Sequence, residues 1–452
     1  MITTYNPYTG EKLAEYKELT EDQIQSKLEK AQKAFNDWRF TSYDKKAGTV
    51  RSIGDTLRKN IEKYAKQMSL EMGKPISQSR SELEKCAWLC DHYASKAKDY
   101  LASEYIDIDD AHSSYVSYEP LGVVLAVMPW NYPFWQVMRF IIPGLMAGNV
   151  GVLKHASSVM GTANMIEECL LEAGVPEGCF QNFVISSKAV ENIIKNDIIK
   201  AVTLTGSKPA GSAVASTAGS EIKKTVLELG GNNALVIFPD ADIDKSVETC
   251  VNARYQNTGQ SCIAGKRLII HEKVYDEFLD KFTNKVKELK SGDPLNDDTY
   301  IGAMARKDLA EELEELMNQS VNMGAKVHLG GSRKNAYFEP TILTDITRDM
   351  PVFKDETFGP LMAVLSFKEE EEAIEMVNDS KFGLGASLFS QDISRMQELS
   401  KKIKDGAVFI NAKVASNPNL PFGGTGISGY GRELSHHGIR EFCNVKTVVV
   451  HK

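Results

Sequence analysis

Between Glu21 and about Ala102, apolar residues recur at three- and four-residue spacing among charged ones (Ile24, Leu28, Ala31, Ala34, Phe35, Trp38), which predicts amphipathic helix. After Pro120 the pattern changes to short apolar runs, Val123–Met128, Val150–Leu153, Phe180–Ile185, Ala201–Leu204 and Thr225–Leu229, separated by helix-like segments. Strands alternating with helices predict a parallel α/β sheet. A second such series runs through Leu235–Phe238, Arg267–His271, Met362–Phe367, Ala386–Phe389 and Ala407–Asn411, with helical patterns at Val274–Leu289 and Glu369–Val377. The fold class is therefore α/β, with two parallel-sheet domains. Their junction is expected at Gly230-Gly231, where a buried-looking strand runs into two conformationally free residues. The end of the chain, Thr447-Val448-Val449-Val450, reads as an edge strand that another subunit would cover.

Composition narrows the function classes. At 452 residues the chain exceeds the roughly 250–300 at which one core stops growing, in keeping with two or more domains. A net charge of −8 argues against a nucleic-acid partner. Met1 to Gly10 has neither a basic start nor an apolar core, and no apolar stretch reaches membrane-spanning length, so a cytoplasmic protein without a membrane partner is expected. The seven cysteines are scattered, unlike a disulfide framework, and reduced thiols are expected.

Three residues stand out for chemistry, each with a plainer alternative. Cys262 follows a Gly-containing turn, Asn257-Thr258-Gly259-Gln260-Ser261, and is either a reactive thiol or a small buried hydrophobe. Glu228 sits in an apolar run at the domain junction, where burial would make it a stronger base, or it is a paired structural carboxylate. Asn131, in Pro129-Trp130-Asn131-Tyr132-Pro133, follows the first strand of the parallel series, where open α/β sheets bind ligands; it is an oxyanion donor or a turn residue between prolines.

Together these pieces are specific. With Thr205-Gly206-Ser207 and Gly211, Glu228-Leu229-Gly230-Gly231, Gly259-Gln260-Ser261-Cys262, Glu356-Thr357-Phe358-Gly359-Pro360, Pro421-Phe422-Gly423-Gly424 and Ser428-Gly429-Tyr430-Gly431-Arg432-Glu433, the chain resembles the NAD(P)-dependent aldehyde dehydrogenase superfamily over nearly its whole length. Its short length, Lys154-His155-Ala156-Ser157 and the ending Arg432-Glu433-Leu434-Ser435-His436 look like the bacterial succinate-semialdehyde dehydrogenases. The resemblance implies a Rossmann-like cofactor-binding domain over 1–229, with 103–120 contributing to a small β oligomerisation element, a catalytic domain over 230–435 and an oligomerisation tail over 436–452. It implies a homodimer or a dimer of dimers. Cys262 would attack a small aldehyde, Asn131 and the Cys262 N–H would hold the oxyanion, and Glu228 would activate the water that hydrolyses the thioester. Pro129, Trp130, Lys154, Ser157, Gly206, Ser207, Gly211, Leu229, Glu356 and Phe358 would line the cofactor site, with Ser207 at the pyrophosphate. Arg139, in a mostly apolar stretch, matches an arginine of the succinate-semialdehyde enzymes and would bind the distal carboxylate with Ser261 and Ser416; its alternative is a structural ion pair.

Several features weigh on these implications. Ser157 stands where NAD-preferring members carry a glutamate, so NADP is expected, NAD remaining possible; Lys154 and a protonated His155 would add positive charge, whereas a Ser157 that only caps a helix would leave dual specificity. Ser186-Ser187 replaces a Gly-rich turn, and Gly426 replaces a lysine. Gly424-Thr425-Gly426-Ile427-Ser428-Gly429 fits the dinucleotide fingerprint but has too little chain after it for a βαβ unit. No metal site is expected, since His436-His437 lack companion ligands. The competing functions are an aldehyde dehydrogenase of other small-aldehyde specificity, an acylating dehydrogenase that passes the acyl group to coenzyme A, disfavoured by Glu228, and a non-enzymatic scaffold, disfavoured by the intact catalytic set.

Overall fold

The computed structural model describes residues 1–451. Two sheets carry the two α/β units. The first runs, edge to edge, Gly429–Tyr430, Lys224–Glu228, Ile199–Thr205, Val123–Met128, Val150–His155 and Phe180–Asn182, parallel except for its antiparallel pair at 429–430. Val123–Met128 begins the series, with later strands added on both sides, so the crevice of the switch point opens beyond Met128 and Thr205. The second runs Lys326–Leu329, Thr341–Thr344, Leu361–Phe367, Gly265–His271, Asn233–Ile237, Ala386–Phe389 and Val408–Ile410, parallel apart from its first pair.

The helical lead-in consists of four helices, Glu21–Trp38, Tyr43–Lys59, Ile61–Met72 and Ile76–Tyr100. The first starts with a capping box in which Thr20 and Gln23 satisfy each other's backbone N–H groups. A hairpin, Ile2–Tyr5 with Lys12–Tyr16, precedes them, and a helix at Lys307–Asn322 adds a further element to the second unit. Glu104–Tyr105, Ser113–Pro120 and Cys443–Val450 form a separate three-stranded sheet with the C-terminal strand at its edge.

The chain does not stay in the second unit to residue 435, the boundary read from the sequence. Gly429–Tyr430 adds to the first sheet beside Leu227-Glu228, and the helix Ser435–Glu441 packs on Ile76–Tyr100 and Pro133–Ala147. Glycine permits this return: a Cβ on Gly429 would lie 1.9 Å from the Leu227 carbonyl oxygen. The second and third glycines of the apparent dinucleotide fingerprint thus fall in short strands rather than in a strand–turn–helix.

Candidate active site

The carboxyl ends of the first sheet face the amino ends of the second, and the candidate site fills the gap. Glu228 closes one strand, and Gly230-Gly231 lead to the next at Asn233. Gly231 is required by contact, since a Cβ there would stand 2.5 Å from the Cys262 carbonyl oxygen; one on Gly230 would stand 2.3 Å from Glu356 Oε2 and displace that side chain.

Cys262 is presented by a left-handed loop. Asn257, Thr258 and Gly259 have φ of 57°, 54° and 72°, and for the two non-glycine residues this conformation costs roughly 1–2 kcal/mol each. Side chains hold it. Asn257 Nδ2 donates to the Asn131 and Gln260 carbonyls at 2.9 and 3.0 Å, Gln78 Oε1 accepts the Asn257 N–H at 2.6 Å, and Gln260 Oε1 accepts that of Ala305 at 2.9 Å. Asn131 Nδ2 spends one proton on the Gln260 carbonyl at 3.2 Å and keeps the other, and the Cys262 N–H makes no hydrogen bond among the described residues. Burial pushes the Cys262 thiol up to about 11, while Lys266 and Arg139 favour the thiolate.

Glu228 is 2% exposed, and both its carboxylate oxygens lack a hydrogen-bond partner among the described residues. Burial, and then the charge of Glu433, raise its pKa well above the ordinary carboxylate range. Arg139 and Arg432 act in the opposite direction. Glu433 is itself buried and forms an ion pair with Arg139 Nε; Arg139 also donates to Thr205 Oγ1 at 3.3 Å and lies over the Phe422 ring. The alternative weighed for Arg139, a structural ion pair, is therefore present, and the same guanidinium still lines the cavity that holds Cys262.

That cavity, about 290 Å³, is lined by Cys262, Ser261, Arg139 and Ser416 together with Lys85 and Lys413. The last two have no counterpart in the sequence reading. Lys85 Nζ donates to Ser416 Oγ at 2.7 Å. The polar face Gln78, Ser81, Glu82, Lys85 at helical spacing was the signal available for it.

The candidate cofactor residues cluster around the switch-point crevice. Ser207 is the exposed N-cap of the helix Lys208–Ser220 and makes no capping hydrogen bond, so the helix N-terminus is open to an anion. Gly211 lets that helix approach Leu229, whose Cδ2 would lie 2.7 Å from a Cβ. Glu356 accepts the Gly231 N–H at 2.9 Å and pairs with Lys266 Nζ at 3.1 Å; Phe358 meets Trp130 edge-on, ring centroids 5.7 Å apart. Lys154 and Ser157 open onto a second cavity of about 820 Å³. Lys154 is 8% exposed, and no acid pairs with it among the described residues; Ser157 is exposed and makes no side-chain capping bond. His155 does not add charge there, contrary to the sequence expectation. It is fully buried, its Nδ1 accepts the Ala156 N–H at 2.9 Å and its Nε2 meets the Pro133 carbonyl at 3.0 Å, and burial pushes its pKa down to about 4.

A cysteine on a strained loop, an orphaned buried carboxylate and an open helix N-terminus at a sheet crevice define the equipment of a thiol-dependent dehydrogenase. The aldehyde dehydrogenase family model matches residues 1–448, and the chain belongs to that family. It is 44% identical over 99% of both chains to a protein of Mycobacterium bovis named succinate-semialdehyde dehydrogenase [NADP(+)] 1, and equally to a Mycobacterium leprae protein named succinate-semialdehyde dehydrogenase [NADP(+)]. Among solved structures, the succinic semialdehyde dehydrogenase of Streptococcus pyogenes in complex with NADP+ matches all of both chains with a TM-score of 0.97 at 35% identity. No helix among the described residues is long and apolar enough to cross a membrane.

Proposed function

We propose that the protein oxidises succinic semialdehyde to succinate with NADP+. One observation carries this reading: a single cavity brings the Cys262 thiol together with Arg139, Ser261 and Ser416, donors suited to a substrate that ends in a carboxylate. The names of its relatives agree with it. NADP+ fits the residues present. Among the described residues Lys154 is a buried cation without an acid, Ser157 has an idle hydroxyl, and Ser207 leaves a helix N-terminus free for the pyrophosphate, with Pro129, Trp130, Gly206, Leu229, Glu356 and Phe358 around the rest.

In the reaction the Cys262 thiol gives its proton to water and its sulfur bonds to the aldehyde carbon as the C=O π pair moves onto the oxygen. The second Asn131 amide proton and the Cys262 N–H hold the oxygen that becomes negative. A nicotinamide held beside Glu356 and Phe358 would supply the hydride acceptor for this oxidation. The remaining thioester is hydrolysed by water: Glu228 takes a proton, the water oxygen bonds to the carbonyl carbon, and the sulfur leaves. Glu228 works only ionised, so its raised pKa makes the hydrolytic step slower at acid pH and faster as pH rises. The residues of the C-terminal edge strand, with Val445 62% exposed and Val449 and Val450 40% exposed, support docking of a second copy, and we assign the protein to the cytoplasm as a homo-oligomer.

Reduced-cofactor formation from succinic semialdehyde and from butanal, each with NADP+ and NAD+ and with or without coenzyme A, tests the reading. Preference for the acid aldehyde and NADP+, unaffected by coenzyme A, is expected. Faster turnover of butanal would overturn the substrate, and a thioester product with coenzyme A would overturn the hydrolytic step.

A further inference from the structure

The helix Ile76–Tyr100 turns one face, Gln78, Ser81, Glu82 and Lys85, to the cavity that holds Cys262. The charges on that wall are not balanced. Glu82 is already committed: it pairs with the buried Lys74 and accepts the Phe134 and Trp135 N–H groups at 2.9 Å each. Arg139 is matched by Glu433. Lys413 has no acid among the described residues either, but two of its three protons are already given to amide oxygens, of Asn252 and of Gln256, the latter at 2.6 Å. Lys85 is half-buried, its Nζ lies 4.1 Å from the Trp135 ring centroid, and its hydrogen bond to Ser416 occupies one of three donors. No acid pairs with it among the described residues. A cation withdrawn from water without a counter-ion favours an anion that enters beside it.

We propose that Lys85 is the specificity-determining cation of this enzyme: it takes the carboxylate of the aldehyde substrate, with Ser416 sharing the contact, beside an Arg139 that already faces Glu433. The proposal rests on the reading of the substrate as a small aldehyde acid and assigns the residue that reads the acid. Titration of the same group supports it. Burial first, and then the repulsion of Arg139, lower the Lys85 pKa to about 8; Lys413 acts in the same direction, and Cys86 and Glu82 oppose it. Lys85 is therefore charged below about pH 8 and loses its charge above, so the affinity for an anionic substrate falls as pH rises through that value.

The test compares kcat/KM for succinic semialdehyde with that for butanal in wild type, Lys85→Met and Lys85→Arg, with NADP+ throughout. A hydrogen-bonded charge contributes enough that the acid-to-butanal ratio should fall about ten- to a hundredfold in Lys85→Met and largely recover in Lys85→Arg. The KM for succinic semialdehyde should climb above pH 8 in wild type, and markedly less in Lys85→Arg, whose guanidinium stays charged. A ratio unchanged in Lys85→Met overturns the assignment. Should that variant fail to fold, an equal rise of KM with pH in wild type and Lys85→Arg overturns it instead. A wild type with no preference for the acid removes both this proposal and the substrate reading, whereas a preference that survives in Lys85→Met removes this proposal alone.

Discussion

Replacing Arg139 by methionine removes the guanidinium beside Glu433 and leaves a carboxylate that is 5% exposed with no other partner. Breaking a buried pair in this way costs about 3–5 kcal/mol. Unfolding entropy scales as about 2.1 cal/mol/K per residue, so for 452 residues it is about 0.95 kcal/mol/K, and the loss corresponds to a fall of about 3–5 °C in melting temperature. The cost depends on pH. Burial raises the Glu433 pKa, and Arg139 restrains that rise, so without Arg139 the folded protein holds the proton more tightly still. A folded state that binds more protons than the unfolded chain loses stability as pH rises above the unfolded carboxylate value. The deficit of Arg139→Met should therefore be small at pH 5 and grow toward pH 8. Neutralising the orphan in Arg139→Met/Glu433→Gln should recover about 2 kcal/mol, or about 2 °C at pH 8. Thermal unfolding of wild type, both single variants and the double variant at the two pH values measures all of this. A double variant that loses the plain sum of the single losses would refute the pairing as an energetic unit.

Other outcomes follow from the same geometry. Cys262→Ala should retain NADP+ binding and abolish oxidation, and residual turnover in that variant would exclude Cys262 as nucleophile. Glu228→Gln should give a burst of about one reduced cofactor per site followed by slow turnover, because an amide cannot take the proton from water; an unchanged steady-state rate counts against Glu228 as the base. Ser157→Glu sets a carboxylate beside the Lys154 cavity and should cost about ten- to a hundredfold in kcat/KM with NADP+ while sparing NAD+, and a wild type that strongly prefers NAD+ would defeat the argument.

How far the sequence could be read depended on whether the relevant interaction was local. Val123–Met128 and Ala386–Phe389 are strands with the bounds the apolar runs predict, because central parallel strands buried on both faces leave no polar alternation to blur them. The hairpin Ile2–Tyr5 with Lys12–Tyr16 is half polar and gives no such run. The helix Lys307–Asn322 does carry Ala310, Leu313 and Met317 at helical spacing, a signal present but unused. Ser157 and Lys154 lie on one cavity because they sit at one strand end, a local relation that spacing encodes. Glu433 against Arg139 and Lys85 against Ser416 were not legible in this way, since each pair joins distant parts of the chain and no spacing encodes it. His155 was misread for the same reason: its neutrality comes from burial against Pro133, a tertiary fact.

The strand Gly429–Tyr430 closes the edge beside Glu228, and Glu433 follows it at once. During synthesis the first half of the chain emerges long before this segment, and until it arrives the strand Lys224–Glu228 has an open edge and Arg139 lacks its acid. The first unit thus draws its closed edge and the acid beside Arg139 from a segment made much later in the chain. A product truncated before residue 429 would lack both the strand that seals the edge and the carboxylate that pairs with Arg139.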